Sequence, residues 1–406
     1  MSFFTEEQTD ALALMSASGP LHEGLLEFLS GPINDFAAQR LAPGAARNDR
    51  EEIFDTQAFG ELGGLGYMAL SFPEKYGGMD ACFSYYNAGL ETLAKADSGF
   101  ALGVAIHGTM SDGIYRFASE ALKDRYLGDL LAGKSIGSFA LSEAGAGSDA
   151  QALACRYRRD GANGDYILSG TKYWITNALD ADVFFVMARG DDGAVSAFVV
   201  PTGLEGGFER AKIQDKMGVR GSNTAELVFD DYRIPADHLV GEEGAGFRYA
   251  MHMLNGGRVT IAAWSTGVAQ GAFEKLLKYS HERELFGKRL FDLDNTKREL
   301  SEMSIEIDAS RYLAYRAAIW KGQGRDIRRV AAVAKVKASE TAVYVGERAI
   351  ELAGGYGYVT DSGIERHLRD ALLARIGEGA NEVLKIMVIP RVLERDFKRI
   401  APTENW

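Results

Sequence analysis

No proline falls between Pro235 and Pro390, and this gap limits what the chain can fold into more than any other feature. Proline removes a backbone donor and collides with the preceding helical turn, so a long proline-free span is where uninterrupted helices run. One is legible from Arg329 to Ala353. Small residues Ala332, Ser339, Gly346 and Ala353 recur every seven positions, and Val336, Val343 and Ile350 each follow four later. Both sets share one helical face, which predicts close packing against another helix. GRVTIAAWSTGVAQGAFEKLLKYSHEREL (257–285) reads as a second helix and the region 292–321 as a third.

The middle of the chain has a different period. GDYILSGTKYWITNA, DVFFVMARG, AVSAFVVPTG and AELVFDDYRIP are short β-branched and aromatic runs separated by Gly, Asp and Asn, as expected of antiparallel strands. FDTQAFGELGGLGYM and EALKDRYLGDLLAG, in the first third, return to helical periodicity. The order predicts an α+β, mainly α protein: an N-terminal helical domain over 1–135, a central antiparallel β-domain over 136–242 and a C-terminal helical bundle over 243–406.

A formal net charge of −12 argues against a nucleic-acid binder, which needs a basic surface, although it leaves room for a local basic pocket. No apolar run reaches the roughly 18 residues of a membrane span. The stretch MSFFTEEQTDALALM carries acidic residues and no basic leader, so a cytoplasmic location is expected. Cys82 and Cys155 are too few and too far apart for a disulfide framework or a zinc site, and each is expected to be a small apolar filler.

The common phosphate-binding signatures are missing: there is no Walker A sequence and no G-x-G-x-x-G after a strand. Nor is there a G-x-S-x-G elbow. The six histidines, His22, His107, His238, His252, His281 and His367, show no metal-ligand spacing, and surface or capping roles are expected for them. What remains is a glycine-rich, hydroxyl-bearing stretch, SFALSEAGAGSDA (138–150), able to cradle an anion or hydrogen-bond a heterocycle, or to serve as a plain loop. Trp174 and Thr176 in KYWITNA fall on one side of a strand, either as a plate and hydroxyl for a flat ring or as core. RIGEGANEV (375–383) sets Glu378 between two glycines at the end of an apolar helix.

PEKYGG (73–78), SEAGAGSD (142–149), KYWITNA, MGVRGSNTAELVFDDYRIP (217–235), ERELFGK (282–288) and AGGYGY (353–358) occur in this order. In them the chain resembles the acyl-CoA dehydrogenases, from about residue 5 to residue 396. The resemblance implies a helical domain, a β-domain and a C-terminal four-helix bundle enclosing FAD. It implies that Phe139, Leu141, Ser142, Trp174, Ile175 and Thr176 hold the flavin. Ser142 would bond its pyrimidine side, Trp174 would flank it and Thr176 would lie near N5. Arg283, Phe286, Asp294, Glu351, Gly354, Gly355, Ala380 and Asn381 would serve the rest of the cofactor. Arg283 and Phe286 would reach FAD held by a neighbouring subunit of a homo-oligomer, usually a tetramer. Ser148, Asn255, Arg258, Gly379 and Phe100 would contact the acyl-CoA. Glu378 matches the family's base, which takes the substrate α-proton while the β-hydride passes to the flavin and gives a trans-2-enoyl-CoA. Relatives that carry the base elsewhere have it just before Arg258, where this chain has Gly257. An electron-transfer flavoprotein or similar carrier is the expected acceptor.

Five positions depart from the family pattern, one of them Asn255, where many relatives have aspartate near the CoA arm. Asp294 and Glu351 replace glutamines near FAD, which is unfavourable beside a diphosphate unless a cation such as Lys288, Arg289 or Lys297 intervenes. Ala380 lacks the usual threonine hydroxyl, and Gly377 stands where a tyrosine is common, which would widen the pocket for a branched or bulky acyl group. Other readings of the same residues are an acyl-CoA oxidase or related flavin enzyme and a non-catalytic acyl-CoA-binding protein.

Overall fold

The computed structural model describes residues 2–15, 20–161 and 164–400; the ends of the expected first and last domains, Met1 and 401–406, lie outside them. The first third is helical: α1 (Glu6–Met15), α2 (Pro20–Phe28), α3 (Ala45–Glu51), α4 (Thr56–Gly64), α5 (Phe83–Ala96), α6 (Ser98–Phe117) and α7 (Glu120–Leu131). Two of these starts are dictated locally, since Asp55 accepts a hydrogen bond from Ala58 N at 2.9 Å and Ser119 one from Leu122 N at 3.3 Å, satisfying donors that a helix N-terminus leaves open.

Seven strands follow: β1 (Gly137–Ala140), β2 (Arg156–Arg159), β3 (Tyr166–Thr176), β4 (Val183–Arg189), β5 (Val195–Pro201), β6 (Gly207–Lys212) and β7 (Thr224–Ile234). They form one sheet in the order β1-β4-β2-β3-β7-β6, with β5 also on β4. Its pairings are antiparallel except at β1–β4, in register Gly137↔Val183 to Ala140↔Val186, and at the single β2–β4 contact, both parallel. The sheet expected to be antiparallel is therefore mixed at one side, because β1 enters from a helix instead of a hairpin.

The last third holds α8 (Gly246–Glu282), the two-residue strands β8 (Glu284–Leu285) and β9 (Lys288–Arg289), α9 (Asp294–Gly322), α10 (Arg328–Ala353), the single turn α11 (Gly355–Tyr358), α12 (Ile364–Ile376), the turn α13 (Asn381–Val383) and α14 (Ile389–Ile400). Helix α8 begins well before the start expected at 257. Gly256 and Gly257 looked like a boundary, yet both are buried inside the helix, where packing outweighs the cost of about 1 kcal/mol for each glycine. Helix α10 matches its seven-residue stripe. A Cβ on Gly346 would come within 3.0 Å of Leu368 Cα on α12, so the small residue sets how closely the helices approach.

By compactness the chain divides into one unit of Met1–Ser30, Cys82–Ser98 and Arg258–Trp406 and another of Gly31–Ala81 and Gly99–Gly257. The first joins α1 and α5 to the C-terminal helices through buried polar bonds. Arg311 on α9 donates to Glu91 on α5 at 2.9 Å and to Gln270 on α8 at 2.9 Å, and Tyr315 donates to Glu91 at 2.7 Å. Gln8 on α1 reaches Ala88 O at 3.0 Å. The second unit contains the whole seven-stranded sheet, whose β4 and β5 are buried along nearly their full length.

Three histidines expected in surface or capping roles are interior. His107 is fully buried, receiving Gly137 N–H on Nδ1 at 2.9 Å with Nε2 against Leu130 O at 3.0 Å; it is held uncharged by burial, at about 4. His238 is buried beside Tyr126 at 2.8 Å, and His367 is buried against Gly271. Cys155 is the expected buried filler, its thiol pushed up to about 11 by desolvation, whereas Cys82 is only half-buried.

Removing one partner of the buried Glu91–Arg311 pair leaves an uncompensated charge, which costs about 3–5 kcal/mol. Glu91→Ala should therefore lower the unfolding free energy measured in urea by that amount, and a change below about 1 kcal/mol would show that water or another group takes over.

Candidate active site

The residues expected to hold a flat ring lie together in the second unit. A β-bulge interrupts the β3–β7 pairing between Lys172 and Ile175, and Trp174 occupies it with φ 63° and 58% exposure. An aromatic side chain is thus turned out of the strand on a backbone conformation that costs a non-glycine residue about 1 kcal/mol. Ile175 points inward, 2% exposed, while Thr176 is half-buried. Tyr173 N donates to Ser142 O at 2.9 Å, which fastens the glycine-rich segment to β3 beside the tryptophan. The hydroxyls of Ser142 and Thr176 make no hydrogen bond among the described residues, although Thr176 O accepts from Ser138 Oγ at 2.6 Å. Phe139 and Leu141 are buried, and Ser148 is exposed.

Sequence reasoning passed over the pair that supports this loop. Lys172 is fully buried, and its ammonium reaches Glu143 at 2.8 Å and Leu141 O at 3.1 Å. Glu143 in turn accepts from Ala154 N at 2.6 Å and Cys155 N at 3.0 Å. These bonds, with the Lys172 charge, hold the Glu143 carboxyl below its ordinary range even though burial opposes ionisation. A lone lysine in a strand signals nothing about a partner thirty residues away. Asn255 is half-buried in α8; Phe100 is 1% exposed and stacks on Phe54 with ring centres 5.8 Å apart.

The first unit carries the carboxylate. Helix α12 ends at Ile376, and the chain turns through Gly377, Glu378 and Gly379, with φ 53° at Glu378 and 92° at Gly379. Glycine at 379 is favoured by its left-handed φ of 92°, whereas a Cβ there would only touch the Arg258 guanidinium, at 3.4 Å. Arg258 Nε donates to Glu378 O at 3.1 Å, and Lys335 Nζ on α10 donates to Gly379 O at 2.8 Å and to Asn381 Oδ1 at 2.8 Å. The side chain of Asn381 is fully engaged, its amide reaching Ser339 at 2.9 Å and Glu340 at 2.8 Å.

Oε2 of Glu378 is closed off from solvent and has no hydrogen-bond partner among the described residues. Desolvation pushes this carboxyl up to about 7, while the charges of Arg258 and Lys335 pull the other way. A carboxylate with few bonds and a proton affinity near neutrality has the properties that general-base chemistry requires.

The residues expected around the remainder of the cofactor are mostly exposed. Phe286, φ 51°, is 89% exposed on the β8–β9 hairpin, and Arg283 just before it has no ion pair among the described residues. Gly354, at φ 60° and ψ −139°, and Gly355 present bare backbone, with nothing within 4 Å of a Cβ on either. Ala380 opens α13, its carbonyl accepting from Leu384 N at 3.1 Å. The two substituted acids have partners: Glu351 is bonded by Arg348, which also holds Glu299 at 3.0 Å, and Asp294 lies 3.8 Å from Lys297. Of the cations expected to intervene, Arg289 is instead occupied by Asp292 at 2.9 Å. Arg348, one turn before Glu351, was overlooked because its place in the helix carries no cofactor signal.

Comparison with known proteins identifies the family. Residues 27–134, 138–232 and 244–393 match the N-terminal, middle and C-terminal domains of acyl-CoA dehydrogenase. The chain is 36% identical over 372 residues to the mitochondrial short-chain specific acyl-CoA dehydrogenase of Mus musculus, over 90% of each chain. The butyryl-CoA dehydrogenase of Megasphaera elsdenii has the same fold, with TM-score 0.87 and 36% identity over 96% of this chain and 99% of the other. A structure described as the electron transferring flavoprotein of Acidaminococcus fermentans also matches, at TM-score 0.87 and 36% identity over 97% and 99%. Matched through all three domains and over nine-tenths of its length, the chain belongs to the FAD-dependent acyl-CoA dehydrogenase family.

Proposed function

We propose that this enzyme dehydrogenates short-chain acyl-CoA thioesters, tolerates a branch beside the carbonyl, and works as a cytoplasmic homo-oligomer that passes electrons to an electron-transfer flavoprotein. One observation carries the reading: the Glu378 carboxyl, half-buried with its Oε2 closed off from solvent and raised to about 7. The names of the relatives support a short acyl chain and the acceptor. Large apolar side chains left in solvent, among them Phe286, Tyr358, Ile376 and Ile386, support association with further copies. Both cysteines are free, as suits a reducing compartment.

The donor set fits FAD. In the second unit an outward aromatic plate with two uncommitted hydroxyls at Ser142 and Thr176 suits a flavin ring, and in the first unit, separately, the bare backbone of Gly354 and Gly355 suits a diphosphate. When bound, FAD supplies the acceptor for the β-hydride.

The base acts on a weak C–H acid. Glu378 takes the α-proton, and the electron pair of that bond becomes the α,β-double bond as hydride leaves the β-carbon. Water would bond to the carboxylate and weaken it, so excluding water from Oε2 is what makes it basic enough. Among the described residues the N–H groups of Glu378, Gly379 and Ala380 enter no backbone hydrogen bond, and such donors stabilise charge on a thioester oxygen. Glycine at 377 is not dictated by the backbone: φ −71° and ψ 157° suit any residue, and a Cβ would meet only Leu373, at 3.4 Å or more. Its missing side chain leaves room beside the base.

Anaerobic titration with butyryl-CoA should bleach the flavin absorption of the wild type and leave that of Glu378→Gln unchanged; bleaching in the variant would remove Glu378 as the base. The active form is the carboxylate, so kcat/KM should fall as pH drops through about 7. Stability has the opposite sign. The folded carboxyl is raised above its ordinary 4.5, so its contribution is complete below 4.5 and lost as pH rises to about 7, in total about 3 kcal/mol. Wild type should lose that much more stability than Glu378→Gln between those limits, and parallel curves would refute the shift. Gly377→Tyr should cut turnover of 2-methylbutyryl-CoA at least about tenfold relative to butyryl-CoA, a steric loss of over 1.4 kcal/mol; an unchanged ratio would refute the role given to that space. Arg348→Ala should speed FAD loss on gel filtration by freeing Glu351, and equal retention would place the diphosphate elsewhere.

A further inference from the structure

The turn that carries Glu378 has two successive carbonyls directed at two buried cations. Arg258, 7% exposed, takes the carbonyl of Glu378, and Lys335, with no exposure, takes that of Gly379. Two adjacent peptide planes are thereby fixed, in a stretch whose φ values of 53° and 92° are left-handed. A glutamate does not adopt that conformation unaided, because its Cβ crowds the following carbonyl. Lys335 also grips Asn381 Oδ1 at 2.8 Å, so one ammonium ties both sides of Ala380 to α10.

We propose that Lys335 is a positioning residue for the base: its ammonium locks the Gly379 peptide, and its charge, held next to Glu378 without touching the carboxyl, keeps that group ionised. The proposal rests on the assignment of Glu378 as base. Both bonds of Lys335 go to neutral oxygens, Gly379 O and Asn381 Oδ1, so its charge is not spent on a direct ion pair. A cation in contact with the carboxylate would make it a poor base, whereas one a few ångströms away lowers its proton affinity moderately. Burial lowers the lysine's own proton affinity and Arg258 adds to that fall, while the Glu378 carboxylate opposes it, so each charge of the pair sustains the other. The charged groups facing this pair within the unit are Arg258 on α8 and Glu340 on α10. Glu340 is itself held by Arg375 on α12 at 2.6 Å and by Lys385, after α13, at 3.5 Å.

The test compares Lys335→Met, which removes charge and donor, with Lys335→Gln, which keeps a donor for Gly379 O. Each is first checked for folding and FAD content. The measurements are the pH profile of kcat/KM for butyryl-CoA and the rate at which the thioester α-protons exchange into D2O, followed by NMR, which needs no hydride transfer. Both variants should move the acid limb up by about one pH unit, and Lys335→Met should lower kcat at least about tenfold with KM changed only a few-fold. The α-exchange should slow in parallel. If Lys335→Met does not fold, Lys335→Gln decides the matter alone. A folded, FAD-loaded Lys335→Gln with the wild-type acid limb and exchange rate would overturn the proposal, as would activity lost only in step with folded protein. An active Glu378→Gln would instead overturn the assignment of the base, so the two failures are distinguishable.

Discussion

A carboxylate that must accept a proton from carbon near neutral pH has to be kept out of water without being captured by a cation. Most of the architecture around residue 378 answers that requirement. Closing Oε2 off from solvent raises its proton affinity, and an uncompensated buried charge would make the site costly to fold. Arg258 and Lys335 resolve the conflict by standing close and bonding to the backbone instead of to the carboxyl. The charge is offset by field alone, and the same bonds pay for the left-handed turn that presents it.

Those cations have to be held on rigid elements, which explains the long helices. Arg258 belongs to the 37-residue α8 and Lys335 to the 26-residue α10, both inside the proline-free span. α10 is pinned to α12 through Gly346 and Leu368, and α12 ends where the turn that carries Glu378 begins. A small shift of one helix against another would misplace a carbonyl clamp at 2.8 Å, so the dense packing of small residues along α10 is a condition for the chemistry as well as for stability.

Legibility in the sequence followed the physics of each feature. The seven-residue spacing on α10 could be read because close helix contact demands small side chains at fixed intervals. Glu378 could be read because a carboxylate between two glycines is locally anomalous and falls in a family motif. Lys335 could not: a single lysine inside an apolar stripe looks like a solvated end, and its partners lie about forty residues away. The Lys172–Glu143 bond escaped for the same reason. Strand β6, FERAK, is an exposed edge rich in charge and lacks the alternation that marks a half-buried strand. The buried histidines were misjudged because spacing says nothing of tertiary burial.

The substituted acids show how a departure from a family pattern can be contained. Glu351 in isolation would repel a diphosphate near Gly354 and Gly355. Arg348 lies three residues away on the same face of α10 and bonds it, while also holding the nearly buried Glu299 of α9. A guanidinium offers five donors and can serve two carboxylates at once, which a lysine on a flexible stem does poorly. The pair therefore presents little net charge to the outside, and Glu351 is tied to the α9–α10 contact. The link between the two helices is Arg348 to Glu299, and Glu351, an acid that reads from the sequence as a liability for cofactor binding, is neutralised within its own helix by the same guanidinium.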